Sequence, residues 1–84
     1  MTDFERIKAV KRAHERMLLA KPNVVGVGIG YRIARGRETD TAAIVVMVSR
    51  KLPAANLRPD ELIPSTLDGI PVDVQETGKM SVQS

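Results

Sequence analysis

Apolar side chains recur at three- and four-residue intervals over residues 2–20, with charged side chains between them. This period predicts one amphipathic helix, whose stripe needs a sheet or a second helix to cover it. Thr2 and Glu5 fit a capping box, in which each side chain accepts a hydrogen bond from a backbone N–H at the helix start. Pro22 predicts the helix end, because helical geometry is disfavoured before a proline. The stripe consists of Phe4, Ile7, Val10, Met17 and Leu18.

Residues 23–34 change to a two-residue period, which predicts a strand. One face carries branched and aromatic residues: Val25, Val27, Ile29, Tyr31 and Ile33. The opposite face carries Gly26, Gly28 and Gly30, between Val24 and Arg32. Three side chains are missing from that face, which predicts that another part of the protein or another subunit lies close against the backbone.

Two further strands are predicted after a polar hairpin loop over residues 34–40. Residues 41–50 are apolar on both sides, so this second strand is expected at the centre of the sheet. Residues 51–69 contain three prolines and no sustained period, which predicts an irregular crossover. Residues 70–76 alternate again, and Pro71 predicts an edge strand because it has no N–H.

Together these elements predict an α+β domain, in which one N-terminal helix packs on a three-stranded mixed sheet in the order α-β-β-β. The first strand lies at an edge and forms a hairpin with the second. The proline-rich crossover is long enough to make the second and third strands parallel neighbours. The 84 residues suffice for one domain. We expect it to span residues 1–79, with a polar tail over 80–84.

The run VVGVGIGYR has the composition of a nucleotide-binding glycine loop but not its spacing. A dinucleotide loop needs G-x-G-x-x-G at the start of a helix, where backbone N–H groups meet the pyrophosphate. Here the spacing is G-x-G-x-G and a second strand follows, and the chain has no Gly-Lys-Ser/Thr for a P-loop. The sequence therefore predicts no cofactor.

The composition narrows the class of protein further. The absence of cysteine excludes disulfides, thiolate metal sites and cysteine catalysis. Charged residues are spread over residues 1–20, so this segment reads neither as a signal peptide nor as a membrane span. We expect a cytoplasmic protein without membrane contact.

Catalytic and metal-binding chemistry finds little support. His14 is the single histidine, and no serine lies in a G-x-S-x-G context. A general base needs a nucleophile and an orienting acid that converge on it. The acidic residues of the second half lack the ligand spacing of a calcium loop. The sequence predicts no catalytic residue, no metal site and no enzyme activity.

Basic residues cluster near the ends of the first two strands: Arg32, Arg35, Arg37, Arg50 and Lys51. Such a hairpin end could contact phosphates. The net charge is only +3, however, and the chain has two aromatic residues on which bases could stack. Solvated charges are therefore favoured over a nucleic-acid contact.

Three segments carry a family resemblance: NVVGVGIGYR, AIVVMVSRKLP after a threonine, and LIPSTLDGIPVDVQETG. Together they resemble the N-terminal region that precedes the trypsin-like peptidase domain in a bacterial serine-protease-like family, over roughly residues 14–79. The catalytic residues of that family lie downstream of this region, and the chain has no G-D-S-G-G-like motif. The resemblance implies an accessory module without peptidase residues.

One helix cannot cover both faces of the sheet, and soluble monomers rarely leave a large apolar patch open. The sequence therefore predicts a non-catalytic interaction module that forms a homo-oligomer or docks on a protein partner. Two alternatives stay open: a protease pro-segment or inhibitor that binds a trypsin-like protease, and a weak nucleic-acid-binding protein. The expected interaction surface is Val24, Gly26, Gly28, Gly30, Ala43, Val45 and Met47.

Overall fold

The computed structural model describes residues 3–77. The elements are α1 (Asp3–Leu19), β1 (Val24–Ala34), β2 (Arg37–Val48), β3 (Thr66–Leu67) and β4 (Ile70–Glu76). Two short 3-10 segments, Ala54–Asn56 and Pro59–Glu61, lie in the crossover between β2 and β3. The proposed Thr2 cap and the tail over 80–84 lie outside the described residues.

The strands form a mixed sheet in the order β1-β2-β4-β3. β1 and β2 are antiparallel, with Ile29 opposite Ile44. β2 and β4 are parallel, with Ile44 opposite Val72. The predicted α+β class is confirmed, and β2 lies inside the sheet between β1 and β4.

β3 is a fourth strand, so the expectation of a three-stranded sheet is corrected. Its pairing with β4 is antiparallel and covers only two positions, one of which joins Leu67 to Ile70. Asp68 and Gly69 form the turn between them, with φ of 50° and 82°. Two consecutive residues with positive φ are typical of a tight two-residue hairpin turn.

β4 consequently lies inside the sheet. Pro71 had predicted an edge position for this strand, and that prediction is wrong. The proline is tolerated because the β2–β4 pairing begins one residue later, at Val72. On the other side, the Val72 N–H donates to the Ser65 carbonyl oxygen at 2.9 Å. The missing N–H of Pro71 therefore falls just before the parallel ladder.

The core lies between α1 and one face of the sheet. Three helix residues and three β2 residues form its centre: Ile7, Val10, Leu18, Ile44, Val46 and Val48. Phe4, expected in the helix stripe, is instead 57% exposed, and the Lys8 ammonium lies 5.3 Å from its ring centroid. Over the described part of the chain, no helix has the length and apolar character that a membrane crossing requires.

Candidate functional site

The glycine face of the sheet, named for the glycines of β1, also carries three β2 residues. Across the β1–β2 pair, Gly26 faces Met47, Gly28 faces Val45 and Gly30 faces Ala43. A Cβ on Gly26 would lie 3.0 Å from Met47 Cε, and one on Gly30 would lie 3.2 Å from Val45 Cγ2. The space left by the missing side chains is thus taken by the chain's own β2 side chains.

Ala43 and Val45 are not exposed, which corrects the expectation of an open apolar surface at these two positions. Ala43 is 0% exposed and Val45 is 7% exposed. Met47 is half-buried. Within residues 3–77, α1 packs on the opposite face of the sheet.

A bulge interrupts the β1–β2 pairing near the hairpin turn. Tyr31 is paired with Ala42 and Ile33 with Glu38, so the three residues 39–41 lie opposite Arg32. The Thr39 hydroxyl donates to the Arg32 carbonyl oxygen at 2.7 Å and fixes the irregularity. Extra residues in one strand bend it and increase its local twist.

Two β4 side chains hold the curved end of β1. Asp73 Oδ2 accepts a hydrogen bond from the Ile33 N–H at 3.0 Å, and Gln75 Nε2 donates to the Tyr31 carbonyl oxygen at 3.4 Å. Gln75 Nε2 also donates to Asp73 Oδ2 at 2.9 Å. Because Asp73 is paired with Val45 across β2 and β4, these contacts draw the end of β1 toward the glycine face.

An Asp73→Ala substitution tests this closure. Loss of the carboxylate leaves the Ile33 N–H without its acceptor, so we expect its hydrogen exchange to accelerate. We expect the free energy of unfolding to fall by about 1 kcal/mol. Asp73→Asn, which keeps an acceptor oxygen, should behave more like the parent chain, and Asp40→Ala serves as a control at an exposed aspartate of β2. Unchanged Ile33 exchange in Asp73→Ala would show that the contact does not hold β1.

Val24 does not share the surface predicted for it. It pairs with Val48 and packs against the core beneath α1. The register shifts between Val24 and Gly26, so Val25 is the extra residue of a bulge and is 50% exposed. The strict alternation predicted for β1 therefore begins only after Val25. Of the seven residues predicted for the interaction surface, all except Val24 lie on the glycine face.

β1 lies at the edge of the sheet, as the sequence predicted, and its outer edge carries free backbone groups. The Arg32 carbonyl oxygen faces β2, whereas the Ile33 N–H and Tyr31 carbonyl oxygen face away from it. Backbone groups of successive strand residues point to alternate edges. The N–H and C=O groups of Val27 and Ile29 therefore also face outward, at the end of the strand order. They form no hydrogen bond on that side within residues 3–77.

The five predicted basic residues are not brought together. Arg32, Arg35 and Arg37 lie at the hairpin end, where Arg35 and Gly36 form the turn with φ of 55° and 75°. Arg50 and Lys51 lie beyond the opposite end of β2, a strand of 12 residues. The five residues therefore form two separate groups, one at each end of the β1–β2 hairpin.

His14 has a partner that the sequence did not indicate. Its Nε2 lies 3.2 Å from Asp68 Oδ2, and Arg6 donates to the Asp68 carbonyl oxygen at 2.7 Å. Both contacts fasten α1 to the β3–β4 turn. His14 and Arg6 are more than 50 positions from Asp68 in the sequence, so only the packing of α1 beside this turn brings them together. Among the described residues, no group of three or more histidines or carboxylates could hold a metal ion.

These features define a small α+β domain with one helix-covered face and a first strand whose outer edge is unpaired within residues 3–77. The family model of the NARROW LEAF 1 N-terminal domain matches residues 3–77, and the chain belongs to this family. No match was found among the curated proteins.

The expected relationship to a bacterial trypsin-like protease family is wrong. The matching family is a plant protein family, and its model covers most of the chain. The segments that suggested the protease resemblance fall on β1, β2, the crossover and β4, which are elements of the fold.

Proposed function

We propose that this chain is a non-catalytic interaction module that forms a two-fold dimer through the outer edge of β1. The supporting observation is the row of outward-facing backbone groups on Val27 and Ile29, which have no partner among the described residues. Unpaired edge strands are templates for pairing with another chain. The proposal keeps self-association and moves its surface from the glycine face to the adjoining edge.

A second copy fits this edge in one antiparallel register, centred on Gly28. Val27 of each copy then lies opposite Ile29 of the other, and these pairs exchange four N–H···O=C hydrogen bonds. Gly28 faces its own counterpart, and Gly26 faces Gly30. In this pairing, glycines fill the non-hydrogen-bonded positions, where the two strands lie closest together. No side chain therefore obstructs the approach of the two backbones.

The chain itself limits the pairing to a short segment. Asp73 and Gln75 already bind the outward groups of Ile33 and Tyr31, so the open edge ends there. Side chains protecting the rest of an edge are one way in which proteins prevent open-ended aggregation. The same register brings Val25 of one copy near Tyr31 of the other, and these side chains are 50% and 49% exposed. A closed dimer with a continuous sheet follows from the two-fold symmetry.

The free energy gained by forming the dimer is modest. Four backbone hydrogen bonds contribute about 0.5–1.5 kcal/mol each, and association entropy offsets part of this. Even the upper sum of about 6 kcal/mol corresponds to a dissociation constant of about 40 μM, so we expect an affinity weaker than micromolar.

We assign no catalytic residue to this module. The cysteine-free composition supports a cytoplasmic setting.

Sedimentation equilibrium of the full chain tests the proposal. Over about 1 to 500 μM, we expect the mass to rise toward twice the 9.2 kDa of the single chain. A mass that stays at 9.2 kDa at every concentration would refute the dimer. A mass that keeps rising beyond the dimer would contradict the closed, short edge.

A further inference from the structure

An apolar cleft lies at the end of the sheet opposite the hairpin tip. Its volume is about 320 Å³, which is at the lower end of the range for small-molecule sites. The cleft lies between the start of β1, the end of β2 and the crossover. Six apolar side chains form most of its walls: Val48, Leu52, Leu57, Leu62, Ile63 and Val74.

The crossover wall is fastened by several hydrogen bonds. Lys21 Nζ donates to the Asp60 carbonyl oxygen at 2.7 Å, which ties the end of α1 to the second 3-10 segment. The Arg58 N–H donates to Glu61 Oε1 at 2.9 Å and closes that segment. Leu57 and Ile63, which flank it, are half-buried. These contacts fix the conformation of the crossover beside the cleft.

The charges at the cleft are unbalanced in favour of cations. Arg50 and Lys51 line its rim and are exposed, and neither side chain has an acidic partner within 4.0 Å among residues 3–77. Glu61, the carboxylate that lines the cleft, lies 3.7 Å from Arg58 Nε. Glu76 accepts only from the backbone N–H of Lys51, at 3.4 Å. The rim therefore offers two cations above an apolar interior.

We propose that this cleft binds a small amphiphile that has an apolar chain and a carboxylate head. The apolar chain lies against the leucine and valine walls, where burial removes it from water. The carboxylate lies at the rim, where Arg50 and Lys51 can form charge-assisted hydrogen bonds with it. The site is separate from the outward edge of Val27 and Ile29, and it does not depend on the dimer.

Decanoate, kept below its micelle concentration, is the test ligand for the full chain. We expect saturable amide chemical-shift changes confined to Pro22's neighbours, the β2 end and the crossover. Decanol and decyltrimethylammonium have the same chain with a neutral or a cationic head. We expect both to bind at least about fivefold more weakly than decanoate, because neither head carries a negative charge that can pair with the two rim cations.

Paired variants separate the site from general effects of charge and apolarity. Arg50→Gln with Lys51→Gln should weaken decanoate binding at least about fivefold, while Arg35→Gln with Arg37→Gln removes the same charge elsewhere and should not. Leu62→Asn should weaken binding, and Leu19→Asn, at another exposed leucine, should not. Equal binding of all three amphiphiles would overturn the proposal. So would shifts that do not saturate, or equal affinity in both charge-removed variants.

Discussion

Replacing Gly28 by lysine is expected to raise the dimer dissociation constant at least about tenfold, equivalent to about 1.4 kcal/mol. In the register that we propose, Gly28 faces its own counterpart at the two-fold axis. The substitution would place two ammonium groups on directly opposed positions, where like charges are destabilising. Sedimentation equilibrium of the variant and the parent chain measures the difference.

The folded chain has room for the first atom of the new side chain. A Cβ on Gly28 would lie 3.7 Å from Met47 Cε, an ordinary van der Waals distance. Replacing a strand glycine also lowers the entropy of the unfolded chain. Ala9→Lys adds the same charge on an exposed helix position and is the matched control. If Gly28→Lys keeps the parent's unfolding transition and also its dissociation constant, the edge is not the interface.

Replacing Leu18 by alanine is expected to lower the free energy of unfolding by about 2–5 kcal/mol. Leu18 is 0% exposed and belongs to the core between α1 and the sheet. Its truncation removes apolar burial and leaves a cavity that the neighbouring side chains fill only partly. The total free energy of unfolding of a domain is about 5–15 kcal/mol, so this loss is a large share of it.

Leu19→Ala provides the matched control, because Leu19 is the next residue and is 44% exposed. Denaturant unfolding should show a change within about 0.5 kcal/mol for this variant. Since dimerisation stabilises the folded chain by mass action, both variants should be compared at one protein concentration. Similar losses in the two variants would contradict the assigned helix face.

The periodic parts of the sequence predicted most of the fold. α1, β1, β2 and β4 each repeat apolar positions over several residues, and Pro22 lies just beyond the end of α1. β3 has only Thr66 and Leu67, which is too short for any period to appear. Its presence depends on the positive-φ turn at Asp68 and Gly69 and on pairing with β4.

The candidate site was harder to predict because it depends on contacts between distant residues. The sequence placed the three glycines together on one face of the first strand, where the structure has them. It did not show that the bulge at residues 39–41 curves β1, or that Asp73 holds Ile33 from 40 positions away. The free edge became visible only when the hydrogen-bond directions along β1 were known.

Hydrogen exchange at individual backbone amides tests the central claim most directly. The Val27 and Ile29 amides face the outer edge of β1, whereas the Gly28 amide faces β2 and is an internal control. We predict that exchange at Val27 and Ile29 slows as the protein concentration rises from about 10 μM to about 1 mM, while Gly28 stays protected throughout. Fast exchange at Val27 and Ile29 that does not change with concentration would contradict pairing through this edge.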